Sequence, residues 1–351
     1  MQKQELLISE NLGESLRQAV TQCPHDRLFI LTDTHTRDYC LPLIESMEAV
    51  DAHELITIAP GDGHKNLETL AEVWSQLSHR GGTRHSLLLN LGGGMVTDLG
   101  GFAASTFKRG ITYINIPTTL LAMVDAAVGG KTGINFNGLK NEVGVFAPAR
   151  FVLIDTEFLK SLDAENLRSG YAEMLKHGLI STESHWADLV NFDMDRVDYK
   201  ALQALVARSV AVKEQIVGQD PYERGIRKAL NFGHTVGHAF ESLALERDTP
   251  RLHGYAVAWG MVCELYFSSL RTGFPTDKLR QTVRFIKETY GSFAFDCKDY
   301  DRLYEFMTHD KKNEAGRINF TLLADVGDIR INQTATREEI FELLDFYREA
   351  M

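Results

Sequence analysis

Short apolar runs separated by helical stretches fill the first half of this chain, and that alternation admits few architectures. Leu28–Leu31, Leu55–Ile58, Ser86–Leu91, Tyr113–Ile116 and Phe151–Ile154 each have the length and side chains of a strand. Between them, segments such as Leu67–Ser78 carry apolar residues at helical spacing. The alternation predicts a mostly parallel, doubly wound sheet, and the runs read as strands buried on both faces. Ligands on such sheets bind beyond the carboxyl ends of the strands. Asp33, Gly92–Gly94 and Thr118–Thr119 each follow a predicted strand, so they should share one rim.

From about residue 159 the pattern changes to long helical stretches at Leu202–Val217, Gly254–Leu270, Thr282–Thr289 and Glu338–Glu349. A short strand pair near Ile318–Leu323 and Asp328–Ile331 interrupts them. At 351 residues the chain exceeds one typical core. The expected organisation is an α/β, Rossmann-like nucleotide-binding domain over 1–158, then a mainly helical domain over 159–351. The active site is expected in the cleft between them. The net charge of −11 argues against nucleic-acid binding through phosphates. No apolar run reaches the length of a membrane span, the first residues lack a signal core, and the four cysteines are scattered. The expected setting is the cytoplasm, with no membrane partner.

The densest chemistry lies in Arg227–His238 and Leu252–Gly254. His234 and His238 are four apart behind Gly233, hence on one helical face, and His253 follows within twenty residues. Imidazoles so clustered point to a metal site, an acid/base site or both. Thr235 stands where a His-Glu-x-x-His helix would carry its glutamate, so the zincin pattern is absent. Glu173 and Lys176, three apart, are either an exposed helical ion pair or part of that site, with Glu173 completing a two-His, one-Glu metal set.

Leu87–Gly94 is a strand running into glycines, where backbone can approach a pyrophosphate at a helix N-terminus. Thr97 breaks the strict G-x-G-x-x-G pattern, so a plain tight turn fits as well. Gly129-Gly130-Lys131-Thr132 resembles the end of a P-loop, but Asp125 occupies the position of its first glycine. It remains either an anion-binding turn or a surface turn. Lys213, Arg227, Arg109, Lys140 and Lys311 put cations beside these segments, which in an acidic chain suggests an anionic substrate.

Taken in order, these segments resemble the 3-dehydroquinate synthase family of sugar-phosphate cyclases from about Asp33 to Lys312. The resemblance rests on Leu91–Gly94 with Asp98, Gly101-Phe102, Arg109-Gly110, Pro117–Asn135, Lys140-Asn141, Gly170–Lys176, Asp220–Glu241 and Leu252–Gly254. It implies Glu173, His234 and His253 as ligands of a divalent metal, zinc or cobalt, with His238 used in proton transfer. It implies Asp125, Lys131, Asn141, Lys176, Lys213, Glu223, Arg227, Asn231 and Lys311 in the substrate pocket, and Arg109 supplied by the partner in a homodimer. Around NAD it implies Asp33, Lys65, Gly93, Gly94, Asp98, Thr118, Thr119, Lys140, Phe158, Ser161 and Leu162. Asp62 and Ser161 depart from the family's glutamate and threonine.

The implied reaction converts the sugar-acid phosphate DAHP to 3-dehydroquinate and phosphate, in the shikimate pathway, with NAD recycled. A sister sugar-phosphate cyclase, a metal-dependent polyol dehydrogenase and a catalytically silent NAD- or sugar-phosphate-binding regulator are the rival readings.

Overall fold

The alternating apolar runs assemble one six-stranded sheet in the computed structural model, which describes residues 4–309 and 318–351. In chain order the first eight strands are β1 (Glu5–Ile8), β2 (Leu28–Asp33), β3 (His53–Ile58), β4 (Leu87–Gly92), β5 (Thr112–Pro117), β6 (Lys131–Phe136), β7 (Leu139–Phe146) and β8 (Phe151–Ile154). The large sheet runs β1-β8-β5-β4-β2-β3, and each of its pairings is parallel. β2, β4 and β8 are buried at every residue, which is why their sequences are continuously apolar rather than alternating. The helices of this part are α1 (Leu12–Thr21), α2 (Thr34–Tyr39), α3 (Leu67–His79) and α4 (Gly94–Thr106). A buried amide pair is embedded in the sheet: Asn90 Nδ2 donates to Asn115 Oδ1 at 2.9 Å, between residues that are register partners on β4 and β5.

β6 and β7 form a separate antiparallel hairpin that the sequence reading did not contain. Gly129 and Gly130, at φ of +99° and +70°, turn the chain, and Lys131 is already the first strand residue. β7 is exposed throughout, so no burial pattern marked it as a strand. β1 was also missed, being only four residues long.

The second part is helical: α5 (Ala164–Leu179), α6 (Glu183–Val190), α7 (Tyr199–Gln219), α8 (His234–Glu246), α9 (His253–Thr272), α10 (Thr276–Tyr290), α11 (Tyr300–Thr308) and α12 (Arg337–Ala350). The antiparallel pair β9 (Asn319–Asp325) and β10 (Asp328–Thr334) interrupts them, as the sequence suggested. α9 packs against α5, α8, α10, α12 and β9, and most of its residues are buried. The chain divides into two compact units, Met1–Asp163 with Tyr199–Gln203, and Ala164–Asp198 with Ala204–Met351.

Candidate active site

Glycines bring three helices of the second unit into unusually close contact. A Cβ on Gly254 would lie 1.8 Å from Ser169 O, and one on Gly260 would lie 2.0 Å from Gly233 O. Gly237 likewise faces Ala256 O at 2.8 Å from its would-be Cβ. Without side chains at these points the α5, α8 and α9 backbones approach each other directly. Glu173 of α5, His234 and His238 of α8, and His253 at the start of α9 meet as a result.

Glu173 and Lys176 are fully buried, so their helical spacing does not make an exposed surface pair. Lys176 Nζ donates to Glu173 Oε2. Burial alone would raise the Glu173 pKa, but the Lys176 ammonium and the His234 imidazole hold its carboxyl well below the usual range. Its other oxygen, Oε1, finds no hydrogen-bond donor among the described residues. That oxygen lies 3.4 Å from Nε2 of His234 and 3.4 Å from Nε2 of His253.

Each of these two imidazoles spends its other nitrogen elsewhere. His234 Nδ1 donates to Phe232 O at 3.0 Å, and His253 Nδ1 donates to Glu241 Oε2 at 3.2 Å. In the neutral imidazoles this leaves both Nε2 lone pairs facing Glu173 Oε1, the disposition found where a second acceptor orients a metal-binding histidine. Two ligands about 2.1 Å from one tetrahedral ion stand about 3.4 Å apart, which matches both separations. Two imidazole nitrogens and a carboxylate oxygen therefore fit a divalent cation such as zinc or cobalt. His238 stands beside them, its ring centroid 5.3 Å from that of His234 and 5.8 Å from that of His253. Burial lowers the proton affinity of His253, but Glu173 and Glu241 outweigh it and push its pKa up to about 10.

The segment entering α8 is tied to itself. Asp220 accepts from the amides of Arg224, Gly225 and Arg227 at 3.0, 2.7 and 3.1 Å. Asn231 Nδ2 donates to Glu223 Oε1 at 2.8 Å, and Arg227 Nη1 donates to Pro221 O at 2.6 Å. Arg227 and Lys213 are buried cations, and a buried cation is retained only where negative charge or polar groups compensate it.

In the first unit, Asp33, Gly92–Gly94 and Thr118–Thr119 lie at the carboxyl ends of β2, β4 and β5, on one rim. Gly93 is the N-cap of α4 and offers no side-chain cap to its amides, which suits a pyrophosphate. A Cβ on Gly93 would come within 3.0 Å of Thr119 Cγ2. Asp33 caps α2, accepting from Thr36 N at 2.8 Å. Lys65 is buried and donates to Asp98 Oδ2 at 2.7 Å. Asp62, the shortened acid, accepts from Asn135 Nδ2 at 3.1 Å through both its backbone oxygen and Oδ2. Phe158 is in the core, Ser161 is exposed with Oγ donating to Phe158 O, and Leu162 is half-buried. Lys131, Lys140, Asn141 and Arg109 are exposed, and Asp125 is half-buried. Lys311 lies outside the described residues. Among the described residues, seven non-glycine positions have positive φ, and three of them are expected site residues: Arg109 at 70°, Asn141 at 51° and Glu223 at 59°. Such strain gathers at functional positions.

Sequence reasoning did not single out Glu241, though it lies in the same stretch as His234, and it passed over Glu264. The available signal for Glu264 was a lone carboxylate in the otherwise apolar stretch Ala256–Leu265.

Family models described as 3-dehydroquinate synthase N-terminal and C-terminal match residues 55–169 and 170–313. The chain is 58% identical over 350 residues to a 3-dehydroquinate synthase of Parabacteroides distasonis, covering 100% of this chain and 99% of that one. The chain belongs to the 3-dehydroquinate synthase family. A 3-dehydroquinate synthase of Clostridium tetani is 34% identical, covering 92% of this chain and 86% of the relative. Among solved structures, 2-epi-5-epi-valiolone synthase from Streptomyces hygroscopicus subsp. jinggangensis, with NAD+ and Zn2+ bound, superposes with a TM-score of 0.87 at 27% identity. That match covers 99% of this chain and 98% of the other. No helix among the described residues is long and apolar enough to cross a membrane.

Proposed function

We propose that this chain catalyses the 3-dehydroquinate synthase reaction, converting DAHP to 3-dehydroquinate and inorganic phosphate with NAD and a divalent metal. The observation that carries the site assignment is Glu173 Oε1, a buried acceptor facing two imidazole Nε2 atoms at 3.4 Å each. When bound, the ion supplies Lewis-acid polarisation of a substrate hydroxyl, and NAD supplies a hydride acceptor restored within each turnover.

The chain's own residues do the rest. Glu173, His234 and His253 hold the ion, and three protein ligands leave positions for substrate oxygens. Lys176 keeps Glu173 ionised and, by holding Oε2, leaves Oε1 turned to the two imidazoles. His238, one turn along α8 from His234, exchanges protons with the substrate. Lys213 and Arg227, with Lys131 and Lys311, take the substrate carboxylate and phosphate. Asp125, Asn141, Glu223 and Asn231 orient its hydroxyls. The free amides of α4 at Gly93 and Gly94 receive the NAD pyrophosphate, with Asp33, Lys65, Asp98, Thr118, Thr119, Lys140, Phe158, Ser161 and Leu162 around the cofactor. A homodimer in the cytoplasm completes the reading, Arg109 reaching the pocket of a second copy. Local cations let an acidic protein capture an anion.

The test is phosphate release from metal-loaded protein given DAHP and NAD+, with NADH absorbance followed alongside. Stoichiometric, metal-dependent phosphate with no net NADH is the expected result. Accumulating NADH would identify a dehydrogenase instead, and silence with DAHP but turnover of another sugar phosphate would identify a sister cyclase.

A further inference from the structure

Glu264 is a carboxylate with no solvent exposure, on a helix whose neighbouring positions Val262, Cys263 and Leu265 are buried too. A charge there must be compensated, or it would cost several kcal/mol. Three backbone amides at the start of α8 bond it. Oε2 accepts from Gly233 N at 2.6 Å, while Oε1 accepts from Thr235 N at 3.0 Å and Val236 N at 3.3 Å. Helix starts leave such amides unpaired and carry the positive end of the helix dipole. The usual cap is a side chain at the residue just before the helix, but Gly233 occupies that position in the left-handed region at φ +79°. Glu264 supplies the cap from a different helix.

The three amides straddle His234. One belongs to the residue before it and two to the residues after it, so the carboxylate holds the backbone of His234 from both sides. The same helix, α9, begins with His253, about three turns before Glu264. We infer that Glu264 is a positioning residue for the metal site: by anchoring the first turn of α8 to α9, it sets where His234 Nε2 stands relative to His253. Phe232 O orients the His234 ring, Glu241 orients the His253 ring, and Glu264 sets the distance between the helices bearing them.

The inference rests on Glu173, His234 and His253 holding a divalent ion, and the experiment separates the two ideas. Full-length protein stripped of metal is titrated with Co2+ alone, reading the visible absorption bands of the ion and the affinity in competition with a chelator. Glu264→Gln, which removes the charge and leaves one acceptor for three amides, should shift the bands and weaken cobalt binding about 10–100-fold. Leu265→Ala, the adjacent buried position, should lower the melting temperature while leaving bands and affinity as in the wild type. If Glu264→Gln does not fold, Glu264→Asp carries the test, with a smaller loss in the same direction expected from the shorter reach. A folded variant at 264 with wild-type bands and affinity overturns the inference. Wild-type protein that takes up no cobalt removes the metal assignment itself, and the inference with it.

Discussion

His253 is held by Glu241: the Nδ1 proton goes to Oε2 at 3.2 Å, and Nε2 is thereby turned toward Glu173. Glu241 lies on α8 and His253 on α9, so the bond also joins the two helices that carry the imidazoles. Replacing Glu241 by Gln keeps an acceptor in place but removes its charge. The expected consequence is a metal affinity about tenfold to a hundredfold weaker, read by chelator competition. An unchanged affinity would leave Glu241 without a role at the site.

His253→Ala removes one of the three proposed metal donors outright. Turnover of DAHP should fall by more than about a hundredfold, since metal polarisation contributes several kcal/mol to such reactions. Circular dichroism should be unchanged, because His253 is only partly buried. Full activity in a folded, metal-free variant would end the assignment.

Helix contact through glycine predicts a specific intolerance. Gly260→Ala places a methyl 2.0 Å from Gly233 O, a backbone atom that cannot rotate away. Urea denaturation should show a loss of about 1–3 kcal/mol. The same change should weaken metal binding, because the displaced strip of backbone leads directly into His234.

Away from the site, His185 gives a pH signature. It is buried, its Nε2 lies 3.0 Å from Ser209 Oγ, and burial together with the nearby Arg208 lowers its pKa to about 4. The unfolded chain, titrating near the ordinary 6.5, binds this proton more readily than the folded protein. The stabilisation is therefore complete above pH 6.5 and is lost as pH falls toward 4, amounting to about 3 kcal/mol in all. Denaturation midpoints measured across that interval should drop more steeply in the wild type than in His185→Asn. Parallel curves would show that His185 is not the group responsible.

Much of this was legible beforehand, for physical reasons that differ by element. Strands buried on both faces, such as Leu28–Asp33 and Leu87–Gly92, wrote themselves as apolar runs. The helices α3, α10 and α12 were recognisable by apolar residues at helical spacing. The hairpin of Lys131–Phe136 and Leu139–Phe146 was illegible because its second strand has no buried face to enforce alternation. For Glu173 and Lys176 the spacing fixed a shared helical face but not its burial, which depends on Gly254 admitting α9 against Ser169. Glu264 showed only as a lone carboxylate in an apolar stretch, and its role stayed hidden for a related reason: it bonds main-chain amides, which have no letter in a sequence.

Asn90 and Asn115 have a consequence for how faithfully the chain reaches this arrangement. Parallel strands rich in leucine and isoleucine look much the same to one another in several alignments. A buried amide pair can bond in only one of them, so every other alignment strands polar groups in hydrocarbon. A slip of one residue between β4 and β5 would carry Thr118 and Thr119 about 3.3 Å along the sheet relative to Gly92 and Gly93. Two asparagines in the interior thus act as an alignment mark, and the spacing of the rim is decided in the middle of the sheet.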